Sequence, residues 1–237
     1  MSKRGNHPVN IPDALIFHTL GRLNEHPHYL SAKAGDFEAS LVVVQDLMAT
    51  IALDTLKPLV EQQPILLPVL AQEAQGRNKI PLALALYLEH KLGLPVELGI
   101  GQATKVSRTS LSGLDRVFII PEFAGQSIAG QAYLLLDDTL TQGGTFAALA
   151  SHLQQQGASV LAAIGLTGKQ YSARLNLDST LLEQLRNKHG ELESTFQTIT
   201  GYNYAALTHS EARTLYNFKP AQQVKQRILA ESYSLKP

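Results

Sequence analysis

The chain has 237 residues, 44% of them hydrophobic and 17% charged, which is enough to bury a full core as one domain with terminal additions. Its 20 Lys and Arg against 20 Asp and Glu leave a formal net charge of +0, so no global field argues for nucleic acid or an anionic membrane as a partner. With no cysteine, a disulfide framework and thiolate catalysis are both excluded.

Residues 1–62 read as a mainly helical segment that packs on the core. The N-terminus is polar and lacks the apolar stretch of a signal peptide, and no apolar run approaches the ~18 residues needed to span a bilayer, so the cytoplasm is the expected compartment. Ala39 to Leu59 is strongly apolar and could supply a homodimer interface. His18, His26 and His28 lie close in sequence, but without cysteines or acids on the same helical face they read as surface or core histidines rather than metal ligands.

Residues 63–170 alternate strand and helix signals. Pro64 to Leu70 reads as a short buried strand, Ala71 to Lys79 as a polar loop, and Ile80 to about Leu92 as an apolar-rich helix. Gly93-Leu-Pro turns the chain into a second strand candidate at Val96 to Ile100, and Val117 to Ile120 gives a third. The next strand is Tyr133 to Leu136, followed by helical spacing from Phe146 to Gln156; Gly157 stops that helix before a buried strand at Ser159 to Leu166. This order predicts an α/β fold with a doubly wound, mostly parallel sheet that takes its ligand at the C-terminal ends of the strands. Residues 171–237 form a helical C-terminal extension: Asp178 can cap a helix to Lys188, Thr208-His-Ser-Glu211 has capping-box spacing, and Pro220 can open a helix over Ala221 to Glu231.

The most specific chemistry lies at Asp137-Asp138-Thr139-Leu140-Thr141-Gln142-Gly143-Gly144-Thr145. An apolar strand runs into two carboxylates, and a hydroxyl- and glycine-rich turn then opens a helix. Amides at a helix N-terminus have no intrahelical partners and sit at the positive end of its dipole, so a phosphate placed there gains several hydrogen bonds. Gly143 and Gly144 let the backbone approach that phosphate, and Thr141 and Thr145 can add hydroxyl donors. The acids, placed at a solvent-facing rim before the turn, can accept hydrogen bonds from the vicinal hydroxyls of a ribose. An acid pair alone would favour the reading as a helix cap or a solvated edge, but that reading leaves the glycines and threonines unexplained.

Over roughly Pro64 to Thr167 the chain resembles the type I phosphoribosyltransferases. Their motif is an apolar strand, two acids, two variable residues, Thr, a variable residue, Gly-Gly and Thr or Ser, and every constrained position is met here. The resemblance implies transfer of ribose 5-phosphate from phosphoribosyl diphosphate to a nitrogenous base, with diphosphate released. It implies that Asp137 and Asp138 anchor the ribose and hold Mg²⁺ indirectly, through ribose oxygens or water. Thr139, Thr141, Gln142, Gly143, Gly144 and Thr145 would bind the sugar phosphate.

The diphosphate end matches the family less closely. The loop after the first strand is longer than usual, and Arg77 and Lys79 could clamp phosphate oxygens from it. Residues 101–131 are long enough for the family's closing flap and carry Lys105, Arg108 and Arg116; Lys105 and Arg108 are the preferred catalytic cations. Pro121 to Gln131 resembles the return arm of that flap. Near the strand after the motif helix, Lys169 could contact a carbonyl oxygen of the base and Tyr171 could stack on it, although a Tyr packed on apolar neighbours is the commoner arrangement. Gly201-Tyr202-Asn203-Tyr204 is a second aromatic candidate, with a turn pinned by ring packing as its bland alternative. A non-catalytic regulator that binds phosphoribosyl diphosphate or a nucleotide is the competing function, because fold and motif do not by themselves establish turnover.

Overall fold

The four apolar residues Tyr133 to Leu136 are all fully buried, and this places them at the centre of the molecule. A computed structural model describes residues 4–7, 10–73, 76–103, 112–218 and 226. In chain order these form β1 (Leu15–Thr19), α1 (Tyr29–Ala34), α2 (Phe37–Met48), α3 (Lys57–Val60), β2 (Ile65–Pro68), β3 (Gln72–Glu73), β4 (Gly76–Arg77) and α4 (Ile80–Leu92). There follow β5 (Gly101–Gln102), α5 (Asp115–Phe118), β6 (Phe123–Ala124), β7 (Ala132–Leu140), α6 (Gly144–Gln154), β8 (Ser159–Gly168), α7 (Ser179–His189), α8 (Glu193–Thr200) and α9 (His209–Asn217).

The main sheet has the order β1-β8-β7-β2, and every pairing in it is parallel. Side chains alternate across it, as the two-residue period of a strand requires. Leu134 and Leu136 of β7 join Leu66, Ile164 and Leu166 in a cluster with α2 and α4 on one face. Tyr133 and Leu135 join Leu67, Ala163 and the α6 residues Phe146, Leu149 and Leu153 on the other. Helices on both faces make this the doubly wound α/β architecture expected, and burial on both sides explains the unbroken apolar run of β7. The chain leaves β2 through α4 toward Val96, which bridges to the outer side of Leu66, whereas β7 leads through α6 to β8 on the opposite side. The direction of winding therefore reverses between β2 and β7, where a crevice opens beyond their C-terminal ends.

Three elements differ from the sequence expectation. Residues 15–19, expected to be helical, form the edge strand β1, with Leu15 and Phe17 turned to one cluster and Ile16 to the other. Five residues of alternation are too short to stand out within a helical segment. The strand expected at Val96 to Ile100 shrinks to the single Val96 bridge, since Gly99 N donates to Glu97 Oε1 at 2.5 Å in a local turn that competes with the ladder. Val117 to Ile120, expected as a strand, instead begins in α5, where Val117 and Phe118 pack into a third cluster with Leu185, Phe196, Tyr202, Tyr204 and Leu215. A short apolar run takes whichever conformation its neighbours can bury.

The C-terminal helices start where their caps indicate. Asp178 accepts from Leu181 N, and Thr208 with Glu211 forms a capping box at the head of α9. The helix expected over Ala221 to Glu231 lies outside the described residues, apart from Gln226. Among the described residues no single helix is long and apolar enough to cross a membrane.

Candidate functional site

A cavity of about 420 Å³ occupies the crevice between β2 and β7, and its wall includes every residue from Asp137 to Phe146. The β7 strand carries Asp137 to Leu140 to its rim, and the turn that follows delivers Gly143 to the head of α6. Gly143 has φ 81°, and a Cβ there would lie 2.5 Å from Leu175 Cδ2. The left-handed backbone favours glycine, and a Cβ would also force the Leu175 side chain to shift. The turn is braced from behind: Ser172 Oγ donates to the Thr141 carbonyl at 2.5 Å and Thr208 Oγ1 to the Gln142 carbonyl at 2.5 Å. The Gln142 side chain points away from the turn, donating to the Gly113 carbonyl at 3.0 Å and to Thr214 Oγ1 at 2.8 Å. Its contribution to a ligand site is thus through the backbone.

The two acids are not equivalent. Asp138 is 5% exposed, which corrects the expectation that both acids sit at a solvent-facing rim. Its Oδ2 accepts from Lys33 Nζ at 2.9 Å and from Asn78 Nδ2 at 2.8 Å. Asp137 is half-buried and accepts from Asp138 N through Oδ1 at 2.9 Å. Loss of solvent pushes the Asp137 carboxyl well above the ordinary carboxylate range; the Asp138 charge adds to the shift and Lys33 opposes it. Thr139 Oγ1 lies 3.3 Å from Thr167 Oγ1, and Thr167 Oγ1 donates to the Asp138 carbonyl at 3.1 Å, which ties the acid-bearing strand end to β8.

The remaining candidates are dispersed. Lys169 lines the cavity with the motif residues. Tyr171 is 60% exposed and borders a separate depression with Ser210, Arg213 and Phe218, not the main cavity. Lys79 stands at the N-terminus of α4 outside the cavity wall, and the backbone of Arg77 lies in the β3–β4 hairpin. Lys105 and Arg108 lie outside the described residues, but the segment carrying them springs from β5 and β6, which pair antiparallel through Gly101 with Ala124 and Gln102 with Phe123. Tyr202 and Tyr204 are fully buried around Phe196, so that turn is pinned by ring packing. His18 Nε2 lies 2.8 Å from the Leu47 carbonyl and His26 Nε2 3.1 Å from Asp46 Oδ2. Among the described residues no group of three or more His, Asp or Glu side chains is arranged to hold a metal ion.

Three residues enter the site that the motif did not reveal. Asn78 Oδ1 accepts from Ile80 N at 3.1 Å in a local turn just ahead of α4, whose N-cap is Lys79, and its amide nitrogen is what reaches Asp138. Lys33 comes from α1 with no local pattern to mark it. Arg116, noted in the sequence only as one of three cations in a long connection, donates to Thr141 Oγ1 at 3.0 Å. Leu20, Leu23, Asn24 and Tyr29 from the N-terminal segment complete the wall.

No model of a known protein family matches the chain. It is 38% identical over 213 residues to Protein TraN of Escherichia coli, a match covering 89% of this chain and 48% of that protein. It is 43% identical over 145 residues to an uncharacterised protein of Haemophilus influenzae, covering 61% of this chain and 32% of that one. The chain thus matches about half the length of one curated relative and about a third of the other. Among solved structures, adenine phosphoribosyltransferase from Saccharomyces cerevisiae superposes over 63% of this chain and 74% of its own, with 13% identity and a TM-score of 0.33.

Proposed function

We propose that the protein is a phosphoribosyltransferase, joining a nitrogenous base to ribose 5-phosphate drawn from phosphoribosyl diphosphate. The observation that carries this reading is the meeting, in one cavity at the reversal of the sheet, of a strand-end acid pair with a glycine turn that opens an eleven-residue helix. In this reading the 5-phosphate sits against the amides that follow Thr141, and Asp137 accepts from the ribose diol. As the anomeric C–O bond to diphosphate breaks, positive charge gathers on the sugar; the C–N bond to the base forms and the base nitrogen gives up its proton to solvent. A carboxylate beside the ribose stabilises that developing cation, and Lys33 and Lys169 at the cavity wall oppose the negative charge of the phosphates.

Mg²⁺ fits this donor set. It needs only one or two carboxylates when phosphate oxygens and water supply the rest, and Asp137 meets that need although no three-residue cluster exists among the described residues. When bound, the ion would neutralise diphosphate oxygens. The test is diphosphate release from phosphoribosyl diphosphate with Mg²⁺ and a panel of purine, pyrimidine and pyridine bases. Release that depends on one base and is lost in Asp137→Asn supports the reading; release from no base, under conditions where the donor binds, overturns it.

One observation favours the second reading, a donor-sensing regulator. Asp138 lines the cavity but is 5% exposed, with its Oδ2 already engaged by Lys33 and Asn78, which reduces the carboxylate capacity offered to a ligand. Saturable donor binding without turnover is the outcome that reading requires.

A further inference from the structure

The C-terminal helices have no part in the motif, yet they hold one of the cations in the cavity wall. Arg116 lies in α5, and its guanidinium donates to Thr141 Oγ1, the first hydroxyl of the turn, at 3.0 Å. The short helix that carries it is anchored at both ends. At its entry, the Gly113 carbonyl accepts from Gln142 Nε2, and the same amide nitrogen also donates to Thr214 Oγ1 of α9. At its exit, the Val117 carbonyl accepts from Tyr202 Oη at 2.6 Å, deep in the C-terminal cluster, where Val117 and Phe118 are themselves buried. A four-residue helix has little stability of its own, so its position is set by these contacts. Burial also lowers the Arg116 pKa somewhat from its usual high value, yet a guanidinium remains charged at any working pH.

We propose that Arg116 is a phosphate-binding residue that closes one side of the turn, and that the C-terminal helical cluster positions it through Tyr202. The ligand chemistry is a phosphate monoester on a pentose. A planar fork of donors held beside the turn's hydroxyl can take a second phosphate oxygen while the helix amides take the others. This inference rests on the reading of the turn as a ribose 5-phosphate site, but it does not depend on turnover.

The experiment is calorimetric titration of the folded protein with ribose 5-phosphate. Arg116→Ala is expected to weaken binding roughly tenfold to a hundredfold, with Arg116→Lys in between because it keeps the charge and loses the fork. Tyr202→Phe removes only the hydroxyl that holds Val117 and should weaken binding severalfold. Tyr204→Phe removes a hydroxyl of the same cluster that donates to the His189 carbonyl, away from α5, and should leave affinity unchanged. Equal affinity in wild type and Arg116→Ala overturns the phosphate role, and equal losses in the two tyrosine variants overturn the positioning role. A wild type that binds no ribose 5-phosphate at millimolar concentration overturns the whole inference. Failure of the transferase reading is seen separately, as tight ribose 5-phosphate binding without diphosphate release from the donor.

Discussion

Asp137 and Asp138 are neighbours in sequence with opposite physical situations. Asp138 is a buried anion satisfied by a cation and an amide, so Asp138→Asn removes the carboxylate 2.9 Å from Lys33 Nζ, whose side chain is only 15% exposed. Breaking such a pair should cost about 3 kcal/mol, measurable by urea unfolding. The double variant Lys33→Met with Asp138→Asn should recover part of that loss, since the ammonium is removed together with its carboxylate. Asp137 behaves in the other sense. Its carboxyl is pushed up in the folded protein, so at low pH it is neutral in both folded and unfolded states and contributes no penalty. As pH rises past the ordinary carboxylate range the unfolded chain loses this proton first, and stability falls until the folded carboxyl ionises as well. Asp137→Asn should therefore melt higher than wild type at neutral pH in the absence of ligand, with the difference vanishing near pH 3; melting curves across that range test it. A variant that is stabilised yet inactive would mark Asp137 as a residue kept for ligand rather than for folding.

The motif turn and the α6 helix it opens form one element, and Gly143 is its critical joint. Ala at this position would meet a positive φ, and its Cβ would displace the Leu175 side chain. We expect Gly143→Ala to cost about 1–3 kcal/mol in unfolding and to weaken ribose 5-phosphate binding more than the stability loss alone explains, because relaxing the positive φ shifts the amides of the turn. The sheet tells a similar story through its packing. Leu135→Ala would empty a fully buried position between β7 and α6, at about 2–5 kcal/mol, whereas the same change at exposed Leu98 should be nearly silent. The expected strand and helix over residues 64–92 are found with small differences in boundaries, because an apolar strand and a Pro-started helix closed by Gly93 act over short distances.

Taken as a whole molecule, two of the hydrophobic clusters supply Leu23, Val69, Leu140 and Phe146 to the cavity wall, while the third lies behind it. The N-terminal segment supplies β1 to the sheet edge and Lys33 to Asp138, while the C-terminal cluster braces the turn through Thr208, Thr214 and Tyr202. Ligand at the turn should therefore be felt well beyond it. Hydrogen exchange with and without ribose 5-phosphate is expected to show slower exchange at residues 141–147, in α5 and in the first turn of α9, with α2 unchanged. Protection confined to the turn would mean that the C-terminal helices are merely appended. A buried ion pair between Arg4 and Glu211, at 2.8 Å, fastens the irregular N-terminal segment to α9 in the same region. Arg4→Met should destabilise the C-terminal cluster by leaving the Glu211 carboxylate without its cation.

The acid pair, the glycine turn, the helix after it and the two-faced sheet were all decided by residues close together in the chain. Strand alternation, helix caps and a positive-φ glycine act over a few bonds, so their spacing carries the information. The edge strand β1, the helical state of Val117 and the separate destinies of Asp137 and Asp138 depended on groups many residues away. Lys33 and Asn78 reach one carboxylate from 105 and 60 positions upstream, and Arg116 reaches Thr141 from a helix that Tyr202 holds. Charge, burial and orientation at such meetings are properties of the packed chain, because only packing excludes the water that would otherwise make the two acids alike.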